Sequence, residues 1–212
     1  MKILGLDIES TGHAGVKIKN RRVFYIDPFQ LVEGGQGLEK ADYILITHPH
    51  YDHCSIKDVE KIIQPETVII TVPDCQSKLS GLQVKEIMLI SVGQTIDLGD
   101  EKVTAVPAYT VDKNTHPKEN GWVGFILEMD GVRVYHAGDT DLIPEMQQIE
   151  TDIALLPVGG TYTMSAKEAA QATAIFKKCK VAIPMHYGVI VGTASDAEDF
   201  KESATCDVKI LR

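Results

Sequence analysis

The chain lacks any run of consecutive apolar residues approaching the roughly 18 that a membrane-spanning helix requires, so no such helix is expected. Its first residues, MKILGLDIES, lack the basic stretch, apolar core and small-residue cleavage site of a secretory signal, and a cytoplasmic location is expected. Positive charge is also scarce. Lys+Arg 21 against Asp+Glu 30 leaves a net charge of −9, which argues against a nucleic-acid-binding surface. The four cysteines, Cys54, Cys75, Cys179 and Cys206, are far apart in sequence, form no C-x-x-C pair and read as reduced thiols. No linker rich in Ser, Gly or Pro, low-complexity tract or short-period repeat interrupts the 212 residues, and one domain, 1–212, is expected.

What is present is patterned. Stretches rich in β-branched and aromatic residues, Ile3–Ile8, Gly15–Lys19, Val23–Asp27 and Tyr43–Thr47, predict strands, with a tight hairpin at Asn20-Arg21-Arg22. Ser55 with Asp58 predicts a capped helix over Ile56–Gln64, stopped by Pro65. The apolar run Thr67–Val72 reads as a strand buried on both faces, and short strands return between Val84 and Val106. Trp122–Met129 and Val132–His136 predict a hairpin turning at Asp130-Gly131. Ile153–Val158, Val181–Met185 and Val208–Leu211 read as further strands. Ser165 with Glu168 and Ser195 with Glu198 predict capping boxes for two helices, the first running to about Lys178. Strands followed by strand–helix units in each half predict a layered α/β sandwich of two mixed sheets with helices outside.

The histidines are concentrated. Of seven, three lie within Thr47-His48-Pro49-His50-Tyr51-Asp52-His53-Cys54, directly after a predicted strand. Imidazole nitrogens and carboxylate oxygens are ligands for first-row divalent metals. The i, i+2 spacing of His48 and His50 aims both rings to one side, while Asp52 and His53 turn into the next helix and face a second point. One loop thus offers ligands for two neighbouring ions.

This H-x-H-x-D-H segment resembles the hallmark of the metallo-β-lactamase superfamily. Tyr135-His-Ala-Gly-Asp139-Thr140 resembles the motif whose aspartate bridges two metals, and Pro184-Met-His186-Tyr-Gly188 the last motif, whose histidine binds the second metal. Gly12-His13-Ala14-Gly15, Ile26-Asp27-Pro28-Phe29 and Leu156-Pro-Val-Gly-Gly160 resemble the metal-dependent hydrolases related to ascorbate-phosphate lactonases. The resemblance implies an αββα sandwich with two divalent metal ions, zinc first and manganese or iron as alternatives. It implies that His48 and His50 bind the first metal, Asp52 and His53 the second, that Asp139 bridges them and that His186 completes the second site. Where the family supplies a further histidine to the first metal, this chain has Tyr109. His116 is the nearby candidate, either reaching in from its loop or standing in solvent.

Two such ions acidify water and polarise a carbonyl or phosphoryl oxygen. The expected activity is therefore hydrolysis of a small soluble ester, lactone or phosphoester by metal-bound hydroxide, with Asp52 as ligand and proton acceptor. The expected partner is a small-molecule substrate, without nucleic acid or membrane. His136 reads either as a substrate-facing acid–base group or, the favoured role, as a support of the site by hydrogen bonding, and Asp27 is expected to hold the metal loop rather than ligate. Cys54 reads as a small buried thiol. The loop Gly159–Met164 is either a plain connection or a set of amides that, with the following helix, hold an anionic substrate group. Two other functions remain: a non-catalytic metal-binding or ligand-sensing protein, suggested by Tyr109, and a di-iron redox protein, against which His50 argues.

Overall fold

The computed structural model describes residues 1–211. The chain divides into two compact units, Met1–Ile90 and Ser91–Leu211, each built on a seven-stranded mixed sheet. In the first unit the strands are β1 (Lys2–Ile3), β2 (Leu6–Gly12), β3 (Gly15–Lys19), β4 (Val23–Ile26), β5 (Tyr43–Ile46), β6 (Val68–Thr71) and β7 (Glu86–Leu89), lying side by side in sequence order. The first four pair antiparallel, and β4 to β7 pair parallel. Helix α1 (Ile56–Ile62) joins β5 to β6, and the short α2 (Gln76–Leu79) precedes β7.

The second unit follows the same plan. Its strands are β8 (Thr95–Asp97), β9 (Lys102–Pro107), β10 (Val123–Met129), β11 (Val132–His136), β12 (Ile153–Pro157), β13 (Val181–Met185) and β14 (Asp207–Val208). Here β8 to β11 are antiparallel and β11 to β14 parallel, with α3 (Ala166–Ile175) before β13 and α4 (Ala194–Ser203) before β14. The parallel strands β4, β6, β12 and β13 are buried at every residue, as near-continuous Val, Ile and Leu runs require.

Pairing fixes direction, and direction decides where loops emerge. β9 and β11 both run antiparallel to β10, so β9, β11, β12 and β13 all leave the second sheet at one edge. By the same logic β2, β4, β5 and β6 leave the first sheet at one edge.

Local structure departs from the sequence expectations at five places. Ile3–Ile8 is not one strand: Leu4 and Gly5, at φ 47° and 94°, form a turn that folds β1 onto β2. The helix after Ser55 stops at Ile62 and the one after Ser165 at Ile175. The cap of α4 is Thr193 with Asp196, not Ser195 with Glu198, because Thr193 takes the extended backbone that a capping residue needs. The final strand is confined to Asp207–Val208. The cysteines, distant in sequence, meet in pairs. Cys179 Sγ lies 3.6 Å from Cys206 Sγ, and the Cys75 thiol beside Cys54 holds the Cys54 pKa below its ordinary value.

Ser55 caps nothing with its hydroxyl, which donates instead to Asp58 Oδ2 at 2.7 Å. Asp58 is buried and also accepts from the amides of Gln30 and Leu31 and from Lys61 Nζ. Burial opposes ionisation of this carboxyl, but the bonds from Lys61 and Ser55 outweigh it and hold its pKa below the ordinary value. A native pKa that is lowered contributes stability in full above about pH 4, and that contribution is lost as pH falls through the lowered value. Asp58→Ala leaves the Gln30 amide and the buried Leu31 amide without their acceptor and takes one of two acceptors from Lys61 Nζ, which keeps the Leu31 carbonyl. It is expected to cost about 2–4 kcal/mol in urea unfolding at pH 7, with the gap to wild type narrowing below pH 4.

Candidate metal centre

In the first unit the histidine loop is organised by a carboxylate that precedes it in sequence. Asp27 follows β4 at φ 46°, is fully buried, and sits beside the start of the loop because β4 and β5 pair in parallel. Its Oδ1 accepts from the Thr47 amide at 2.8 Å, and its Oδ2 accepts from Thr47 Oγ1 at 2.6 Å and His53 Nδ1 at 2.7 Å. The hydroxyl proton of Thr47 is thereby committed to Asp27, so Thr47 Oγ1 accepts from His48 Nδ1, 2.9 Å away. Both rings are fixed in the tautomer that carries its proton on Nδ1. Their Nε2 atoms are the basic ones, as in a ligating histidine oriented from behind.

His48 Nε2 lies 3.1 Å from His50 Nδ1. Neighbouring ligands of a tetrahedral zinc are about 3.3 Å apart, given zinc–nitrogen bonds near 2.05 Å, so the two rings fit one cation. Asp52 Oδ2 lies 3.6 Å from His53 Nε2 and 3.3 Å from His13 Nε2. His13 stands at φ 52° in the β2–β3 turn, which packs closely on the Asp27–Phe29 backbone: a Cβ on Gly12 would meet the Phe29 carbonyl at 2.8 Å, and one on Gly15 the Asp27 carbonyl at 2.8 Å. Asp27, His48 and His53 each bring a ligand-type atom within 4.8 Å of the others. With three hydrogen bonds already accepted, Asp27 acts as the anchor of the loop. Cys54 is buried and its thiol is engaged with Cys75.

The second unit gathers its own cluster at the edge where β9, β11 and β13 end. Asp139 Oδ2 lies 3.1 Å from His116 Nε2 and 3.1 Å from His186 Nε2, and all three residues are buried. One carboxylate oxygen between two imidazole nitrogens is the donor arrangement of a metal site, again at tetrahedral ligand spacing. His186 ends β13 at φ 58°, and its carbonyl packs so closely on Gly159 that a side chain there has no room. His136, the last residue of β11, is buried, and its Nδ1 accepts from the Gly138 amide at 3.2 Å.

His116, not Tyr109, is the side chain beside Asp139. The Tyr109 hydroxyl donates to Glu145 Oε2 at 2.9 Å and accepts from Lys118 Nζ at 3.3 Å. Burial and the Glu145 bond push the Tyr109 pKa up, and the Lys118 bond holds the Glu145 carboxyl below its ordinary value. The backbone of Tyr109 meanwhile accepts from Thr140 Oγ1 and the Asp141 amide. Asp141 in turn accepts from the Val111 amide and Lys113 Nζ, and the Thr110 amide donates to the His116 carbonyl. The loop that carries His116 is clamped to the residues just after Asp139. Thr47, Glu145, Lys118 and Asp141 were not singled out from sequence. Only the Asp139-Thr140-Asp141 run hinted at one of them, since Asp27, Glu145 and Lys113, the partners of Thr47, Lys118 and Asp141, lie twenty or more residues away.

Of the two readings of the Gly159–Met164 loop, these bonds favour the plain connection: Gly160 N donates to Met164 O, Thr161 N to Gly159 O, and Met164 N to Thr140 O. The N-terminus of α3 is closed by Glu168, which accepts from the Ser165 amide. Trp122 is buried against the edge of His116, 5.6 Å between ring centres.

Comparison with known proteins places these clusters in context. Residues 7–186 match the family model described as a beta-lactamase superfamily domain. The chain is 38% identical over 216 residues to a UPF0173 metal-dependent hydrolase of Archaeoglobus fulgidus, covering 94% of this chain and 92% of that one. A second relative of the same name, from Methanoregula boonei, is 37% identical, with 90% and 86% covered. Among solved structures, a protein of Parabacteroides distasonis assigned as a metal-dependent hydrolase superposes with a TM-score of 0.84 at 34% identity, covering 98% and 94%. Igni18, a metallo hydrolase from Ignicoccus hospitalis, superposes with a TM-score of 0.81 at 24% identity, covering 98% and 95%, and shows likeness of fold.

Two outcomes follow for metal binding, both read by competition with a chromogenic chelator. Asp27→Asn keeps one acceptor oxygen but cannot serve both Thr47 and His53, and is expected to lower zinc affinity about 10–100-fold while the protein stays folded. His116→Ala is expected to weaken binding by at least that much, whereas Tyr109→Phe leaves it within about twofold.

Proposed function

Because the chain belongs to the β-lactamase superfamily, and within it to the UPF0173 metal-dependent hydrolases, we propose that it hydrolyses a small soluble ester, lactone or phosphoester at a centre of two divalent metal ions. The resemblance would give His48 and His50 to one ion, Asp52, His53 and His186 to the other, and Asp139 to both; His116, which lies beside Asp139, would complete the first set. The observation that carries this reading is Asp139 Oδ2, set 3.1 Å from each of two imidazole nitrogens, together with the equally spaced His48–His50 pair. A donor set of imidazole and carboxylate without thiolate suits zinc, with manganese and iron as alternatives.

The ions would supply an acidified water and a Lewis acid for the scissile carbonyl or phosphoryl oxygen. The remaining tasks fall to the chain. Asp27 and Thr47 hold His53 and His48 with their Nε2 lone pairs free of protons. Asp52, its carboxylate beside His13 and His53, is the group to accept a proton from water and return it to the leaving oxygen. No covalent intermediate on the protein is required. Cysteines without disulfide bonds are consistent with a cytoplasmic location.

The test is an assay of the zinc- and manganese-loaded protein on panels of lactones, p-nitrophenyl esters and phosphodiesters. Turnover is expected on at least one panel, to be abolished by chelation and restored by metal, and to fall about a hundredfold or more in His48→Ala. Turnover that survives both treatments contradicts the proposal.

A further inference from the structure

The loops that bear the candidate ligands are short of cations and rich in exposed apolar side chains. Among the described residues ten large apolar side chains are exposed; four of them, Tyr51, Val111, Val189 and Ile190, sit in these loops, and Val32 and Tyr162 sit in other loops that leave the same sheet edges. In the second unit Val111 follows β9, Tyr162 follows β12, and Val189 and Ile190 follow β13, so all four belong to loops leaving the same sheet edge as His116, Asp139 and His186. In the first unit Val32 follows β4, and Tyr51, 65% exposed, lies inside the histidine loop itself, its ring 6.0 Å from Phe29. Isolated exposed apolar residues need no explanation, but their concentration on ligand-bearing loops does.

Beyond the charge of the metal ions themselves, recognition of an anionic substrate group draws on Arg or Lys, or on open amides at a helix N-terminus. The ligand-bearing loops supply little of either. Segments 47–55, 137–152, 158–165 and 186–193 contain no Lys or Arg. In the His116 loop Lys113 is paired with Asp141 and Lys118 with Glu145, and Lys78, beneath the histidine loop, donates to the Pro49 carbonyl. The helices that follow these loops bring their own carboxylates to their N-termini: Glu168 on α3, Asp196 on α4 and Asp58 on α1.

We propose that the substrate is an uncharged ester or lactone whose acyl or alcohol part is apolar, seated on Val111, Tyr162, Val189 and Ile190 beside the metal ligands, and not a phosphoester. This rests on the hydrolase reading and narrows its substrate class. The reaction adds water across the ester: the carbonyl carbon–oxygen bond breaks, the hydroxyl joins the acyl carbon, and the proton goes to the leaving oxygen.

The test compares p-nitrophenyl acetate, butyrate and octanoate with bis(p-nitrophenyl) phosphate on the zinc-loaded protein. It is paired with calorimetric titration of acetohydroxamate and hexanohydroxamate against inorganic phosphate. The expected result is a rise in kcat/KM of about tenfold from acetate to butyrate, the gain that two buried methylenes supply. Slower turnover of the phosphodiester and tighter binding of the longer hydroxamate are also expected. In the double variant Val189→Ser, Ile190→Ser this dependence on chain length flattens. A preference for phosphodiester or phosphate, or indifference to chain length, overturns the inference while the hydrolase reading stands. Absence of turnover on every substrate with metal bound removes the hydrolase reading, and the calorimetric chain-length series still decides the apolar seat. A concentration-dependent dimer that the double variant dissociates assigns these residues to a second copy of the chain and also overturns it.

Discussion

A single buried carboxylate sets the geometry on which the candidate centre depends. Asp27 can accept from the Thr47 amide, the Thr47 hydroxyl and His53 only because parallel pairing of β4 and β5 brings the ends of those strands together. The consequence reaches past its direct partners, since the Thr47 proton spent on Asp27 dictates which nitrogen of His48 is basic. A charge buried this deeply is tolerable because hydrogen bonds replace its lost hydration. The same bonds convert a run of histidines in a flexible segment into a preorganised set of lone pairs.

The backbone around the site is held in conformations that L-residues seldom adopt. His13, Asp27 and His186 all lie at positive φ, between 46° and 58°. Such positions persist where the surrounding packing over-determines them, and here the packing is visible: the Gly12–Gly15 turn against Asp27–Phe29, and Gly159 against the His186 carbonyl. Each is the first residue or nearly so after a strand, where the chain turns sharply and delivers a side chain at the sheet edge. The second unit repeats the strand order of the first, and in both the chemistry-bearing residues follow strands that run in the same direction. Local strain and sheet topology thus serve one end, a fixed placement of imidazole and carboxylate groups.

Much of this was legible in the sequence because it rests on short-range patterns. Apolar runs such as Val68–Thr71 and Val181–Met185 announced buried strands, Asp130-Gly131 announced its hairpin, and Ser165 with Glu168 announced its cap. The histidine loop stood out because several ligand types within six residues are rare by chance. What escaped was long-range. Ser55 and Asp58 have the spacing of a cap, yet Asp58 serves the distant amides of Gln30 and Leu31. Tyr109 occupies the position where a histidine was sought, and only the folded loop reveals that its hydroxyl is spent on Glu145 while His116, seven residues on, stands beside Asp139. Proximity in sequence carries no information about such partners, since they are set by how loops close.

The family assignment and the two clusters converge on divalent metal as the agent of the chemistry, and the quantity that tests this most directly is the metal itself. Crystals of protein prepared without chelator, with anomalous diffraction recorded on both sides of the zinc, iron and manganese absorption edges, would locate any bound ion and identify it. The account predicts two peaks per chain, one in contact with His48 and His50, the other with His53 and His186, and an oxygen of Asp139 touching both. Crystals whose difference maps hold no such peaks, or peaks that touch none of these side chains, would contradict it.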